Sequence, residues 1–77
     1  MIKQAEIKEV RTQAGILARE VSRVARIEPG RFSYIEQRVV TARPDEMGRI
    51  EAALVELITK RLVAIRAIEA KRGLVFA

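Results

Sequence analysis

Val21–Glu36 reads VSRVARIEPGRFSYIE, and the fold turns on how this stretch is parsed. Val21 and Val24 or Ala25 recur at helical spacing, with Arg19, Glu20 and Arg23 on the other side. Pro29 and Gly30 then interrupt, and proline is tolerated best in the first turn of a new helix. From Glu28 or Pro29, the residues Phe32, Ile35 and Val39 again fall on one helical face, leaving Gly30, Arg31, Tyr34, Gln37 and Arg38 outside. The stretch therefore predicts two short helices joined by a tight turn.

Upstream, Ile7, Val10 and Ala14 sit at i, i+3 and i+7, which predicts a first amphipathic helix from Ile2 to about Gln13. Gly15 follows where a helix can end in the left-handed conformation. The second helix runs from about Leu17 to Val24, with Leu17 expected inward. Downstream, Val40 to Arg43 reads as a loop, and Pro44 with Asp45 marks a new helix start. Met47, Ile50, Leu54, Leu57 or Ile58, Arg61 or Leu62, Ile65 and Ile68 then continue at three- and four-residue steps to about Lys71, with Gly73 as the expected stop. A helix of that length reaches some 40 Å at about 1.5 Å per residue. It must bend near Val55 to Ile58 or place its far end on another chain. The apolar end LVFA, Leu74 to Ala77, points the same way.

The expected fold is all-α: a small helical bundle with an extended C-terminal helix, one domain over residues 1–77, in which 56–77 serves as a dimerisation segment. Seventy-seven residues is near the lower size for a chain that folds on its own core, and 49% apolar composition supplies one. The absence of cysteine and histidine removes disulfides, thiolate and imidazole catalysis and zinc fingers. No hydrophobic run is long enough to cross a bilayer, and the N-terminus carries no secretory pattern, so the expected location is cytoplasmic. No metal-ligating, cofactor-binding or catalytic constellation is expected: Glu46, Glu51, Glu56 and Glu69 read as solvated helix-surface residues beside Lys and Arg. The net charge of +5 rests on eleven arginines among fifteen basic residues, and arginine's planar fork suits phosphates and guanine edges.

Laid out in order, Arg11, Gly15, Ile16, Val21, Ser22, Ala25, Ile27, Phe32, Ser33, Ile35 and Glu36 fall without a gap on a known pattern, and Ile50, Ala53 and Leu54 continue it. On these residues the chain resembles the lambda-repressor and Cro-like helix-turn-helix proteins, also called the xenobiotic-response-element type. The resemblance implies a double-stranded DNA-binding transcriptional regulator, a dimeric, phage-like repressor that is nucleoid-associated when bound. It would lay the helix at about 28–38 in the major groove of a palindromic operator. It also implies a partly buried ion pair between Arg11 and Glu36. On the exposed face of the third helix, Arg31, Tyr34, Gly30 and Gln37 are the expected base-contact positions, and Arg19, Arg23, Arg26, Arg38 and Arg43 the expected phosphate contacts. Leu62, Ile65 and Ile68 are the expected homodimer interface.

The chain departs from the pattern at several places. Leu17 and Ala18 replace a polar Thr-Gln pair, Arg26 and Arg38 stand where the family has glycine, and Pro29 and Gly30 offer no side-chain donor. These departures define the alternative expectation, a protein-interaction module that keeps the scaffold without base readout.

Overall fold

In a computed structural model the chain is described over residues 2–76, with side chains through Lys71. It is all-α, and no strand occurs among the described residues. A 3₁₀ turn, Gln4–Glu6, leads into α1 (Ile7–Gln13), followed by α2 (Ala18–Ala25), α3 (Pro29–Glu36) and α4 (Pro44–Phe76).

The first three helices stop in the same way. At the end of α1 the Ile16 and Gly15 amides donate to the Arg11 and Thr12 carbonyls. At the end of α2 those of Ile27 and Arg26 donate to Ser22 and Arg23, and after α3 those of Val39 and Arg38 donate to Tyr34 and Ile35. This paired six-to-one and five-to-two bonding is the Schellman motif, which needs one left-handed residue. Those residues are Gly15 (φ 70°), Arg26 (φ 58°) and Arg38 (φ 60°). Glycine adopts this backbone freely, whereas a residue with a Cβ is disfavoured there by about 1–2 kcal/mol. The left-handed turn at Arg38 is why α3 ends at Glu36 rather than continuing to Val39.

The helix starts are also identifiable. Glu20 accepts the Leu17 amide at 2.8 Å at the head of α2. Pro29 opens α3, and Glu46 accepts the Arg43 amide at 2.9 Å at the head of α4. Each carboxylate satisfies a donor that helix geometry leaves free.

Ile7, Ile16, Val21, Ala25, Ile27, Phe32, Ile35, Ile50, Ala53, Leu54 and Leu57 form a single core in which α2 packs mainly on α4. Three residues differ from their sequence expectation. Leu17 is 51% exposed, because it precedes α2 as its extended cap residue instead of lying on the helix's inner face. Val39 is 65% exposed, since it follows the left-handed turn. Glu46 is only 2% exposed and belongs to the interior.

The fourth helix is one continuous element of 33 residues, with neither a bend at 55–58 nor a stop at Gly73. Its length, roughly 50 Å at about 1.5 Å per residue, matches the 52 Å long axis of the molecule. The first half, through Leu57, covers the core; Arg61 reaches back to the Gly15 carbonyl at 3.0 Å and Glu20 at 3.3 Å. Beyond it Leu62, Val63, Ile65 and Ile68 are exposed. The side chains of Leu74–Ala77, where the sequence places an apolar end, lie outside the described residues.

Candidate nucleic-acid interface

Two ion pairs tie α3 into the fold. Arg11 Nε donates to Glu36 Oε2 at 2.6 Å and Nη2 to Oε1 at 3.1 Å, while Nη1 donates to the Ile16 carbonyl at 2.9 Å. The pair is 13% and 8% exposed, so it links the end of α1 to the end of α3 in a largely dry setting. This is the pairing that the family resemblance implies.

The second pair was not expected. Arg31 Nε and Nη2 donate to Glu46 Oε2 and Oε1 at 3.0 and 2.9 Å, and Oε1 also accepts the Arg43 amide. The Arg31 bonds, then the Arg43 amide, hold the Glu46 carboxyl down at about 2 against the desolvation that would raise it. Glu46 in turn raises the pKa of Arg31 by the same side-chain hydrogen bonds. Arg31, expected to reach bases, thus has the fork of its guanidinium committed inside the fold. The signal in the sequence was Pro44 followed by Glu46, a helix start with a carboxylate at its third position.

The other predicted base-contact positions lie open. Tyr34 and Gln37 are exposed, with Gln37 Nε2 donating to Ser33 Oγ at 2.9 Å. Gly30 meets nothing closer than Glu28 Oε1, 3.8 Å from where a Cβ would stand.

Charge separates the arginines into two groups. Arg11, Arg31, Arg43, Arg49 and Arg61 each have a carboxylate within 4 Å. Arg43 meets Asp45 at 3.3 Å and Glu46 at 3.7 Å, so this expected phosphate contact is already paired. Among the described residues Arg19, Arg23, Arg26, Arg38 and, on the distal half of α4, Arg66 are exposed and have no carboxylate within 4 Å, although Arg23 is near enough to Glu20 to help lower its pKa. Arg19 and Arg23 are i, i+4 neighbours on α2, and Arg26 stands at the left-handed residue that ends it. Arg38 stands just beyond the end of α3.

One structural residue beside this site escaped the sequence reading. Gln4 Nε2 donates to the carbonyls of Ile35 at 3.0 Å and Val40 at 2.7 Å, and its Oε1 accepts the Ala42 amide at 3.1 Å. A single amide thereby stitches the segment after α3, which carries Arg38, to the N-terminal turn. No local pattern marks a glutamine for contacts with residues more than thirty positions away.

Comparison with known proteins returns no family model, no curated protein and no solved structure that matches the chain. Among the described residues no cluster of acidic or other ligating side chains could hold a metal ion, and no helix is long and apolar enough to cross a membrane.

Proposed function

We propose that this chain is a sequence-specific double-stranded DNA-binding regulator that enters the major groove with α3. The observation that carries this reading is the placement of Arg26 and Arg38 at left-handed positions where glycine would be less strained. Both side chains are exposed and lack a carboxylate partner. The Schellman turns require a left-handed residue but not a Cβ, so arginine in place of glycine points to a task outside the fold. Two unpaired guanidiniums bracketing α3, with Arg19 and Arg23 alongside, suit the two phosphate strands that border a groove. Tyr34 and Gln37 then take the base-contact role that Arg31, held by Glu46, does not fill. Counter-ion release gives the test: four phosphate contacts predict a log–log salt slope of about −0.9 per contact, or roughly −4 per subunit.

The reading extends to a homodimer. Val55, Ile58, Leu62, Ile65 and Ile68 form an apolar stripe along α4, exposed at all but Ile58, which is half-buried. At Ile58 it adjoins an apolar cleft of about 270 Å³ between α4 and Ile2 and Val10. A second copy packed antiparallel about Leu62 covers this stripe on both chains with one isologous contact.

A second reading has its own observation. Leu17, Ala18, Pro29 and Gly30 give the front of α2 and α3 little hydrogen-bonding capacity, as a protein-interaction module on the same scaffold would have. Arg19, Arg23, Arg26 and Arg38, exposed on α2 and just beyond α3, favour DNA.

A further inference from the structure

Between the first half of α2 and the length of α3 lies a cleft of about 260 Å³, lined by Ala18, Arg19, Pro29, Phe32, Ser33 and Glu36 among others. Several of its polar atoms are already engaged. Glu36 holds Arg11, and Ser33 Oγ accepts from Gln37. Pro29 has no amide hydrogen to offer. Beside the cleft, Leu17 is half exposed and Gly30 leaves its backbone bare. Nothing in the chain demands glycine there, since a Cβ would meet only the tip of Glu28 at 3.8 Å and the backbone is not left-handed. What this front offers is small, apolar surface with the Arg19 side chain at its edge.

Resting on the DNA-binding reading above, we propose that this notch is a thymine reader: the 5-methyl group of thymine packs against Ala18 and Pro29, and the missing side chain at Gly30 lets the base edge approach. In the major groove the 5-methyl is the one apolar feature that distinguishes a base, and small apolar side chains are its usual partners. The occupant is nucleic acid rather than an apolar protein segment because Arg19 lines the cleft, and Arg23, Arg26 and Arg38 stand unpaired on the same two-helix unit. Sequence preference then comes from methyl packing, which needs no side-chain donor, and the departures at Leu17, Ala18, Pro29 and Gly30 become the specificity determinants.

The test replaces thymine by deoxyuridine, one position at a time, in a duplex selected by the full-length protein from random DNA. Uracil keeps the pairing edge and the O4 acceptor and loses only the methyl. The expected result is about a fourfold loss of affinity at one or two positions per half-site, the effect of exposing one methyl-sized group. Gly30→Ala, which the fold accommodates, is expected to weaken binding to the thymine operator while leaving the salt slope unchanged. Binding that stays within a factor of 1.5 for uracil at every position overturns the thymine reading and leaves DNA binding standing. Failure to select any DNA overturns both.

Discussion

Replacing Glu46 by alanine removes the acceptor for three hydrogen bonds, two from Arg31 and one from the Arg43 amide at the head of α4. Loss of the amide partner costs about 1 kcal/mol, as for a missing helix cap. The two charge-assisted bonds would add about 1.5–3 kcal/mol each if fully buried. The Arg31 side chain is 36% exposed, however, and its freed guanidinium can be rehydrated, which cuts that sum by half or more. The net expectation is about 3 kcal/mol, a large share of the roughly 4–12 kcal/mol that a chain of this size has in all. At about 4–8 °C per kcal/mol, thermal unfolding followed by circular dichroism should show a midpoint lowered by roughly 12–24 °C. Glu46→Gln keeps one oxygen to accept from the Arg43 amide and Arg31 Nη2 but loses the charge and the oxygen that accepts from Arg31 Nε, so its drop is smaller than that of Glu46→Ala. The sign with pH is set by the depressed carboxyl. Its folded-state value of about 2 lies below the usual 4.5, so its stabilisation is present above pH 4.5 and is lost as pH falls towards 2. The gap between wild type and Glu46→Gln should therefore narrow across that window. A midpoint lowered by less than about 4 °C in Glu46→Ala, or a gap that is flat between pH 5 and pH 2, refutes the reasoning.

Other outcomes follow from the same geometry. Arg31→Met should lower stability by nearly as much as Glu46→Ala, and the double variant should cost little more than either alone; additive effects in a double-mutant cycle would break the assigned pair. Arg26→Gly should raise the melting midpoint by roughly 4–8 °C through relief of about 1 kcal/mol of left-handed strain, while weakening DNA binding and making the salt slope shallower by about one. Ile65→Asp should give a monomer in sedimentation velocity that binds a single half-site poorly; an unchanged dimer would displace the interface from the distal half of α4. Gln4→Ala should leave three backbone groups at residues 35, 40 and 42 without a partner, and hydrogen exchange should show the segment after α3 opening faster with α1 and α2 unchanged.

The parts of this fold that were legible in the sequence are those written in short-range periodicity. Val21, Ala25, Phe32, Ile35, Ile50 and Leu54 are buried where their spacing places them, because a 3.6-residue repeat needs no distant information. Leu17 and Val39 were misplaced for a local reason of another kind, the backbone reversal at each helix end. The left-handed turns at Arg26 and Arg38 are not marked by the arginines themselves, since glycine is their usual sign; only the family pattern, with glycine at both positions, points to them. Arg31 shows the limit for the candidate site. Its position on α3 was readable, but whether its guanidinium faces outward or turns to Glu46 depends on how α4 starts fifteen residues later. Gln4 depends on a separation still longer.

Arg26 and Arg38 carry the account's central claim, that two strained arginines are kept for contact with a duplex. The most direct measurement is fluorescence anisotropy of a labelled duplex, chosen from random DNA by the wild-type chain, titrated across a salt series with wild type and with Arg26→Gly/Arg38→Gly. The account predicts a wild-type slope of about −4 per subunit, falling to about −2 in the double variant, with a melting midpoint that rises. Equal slopes in the two proteins, or no duplex enriched at all, would contradict it.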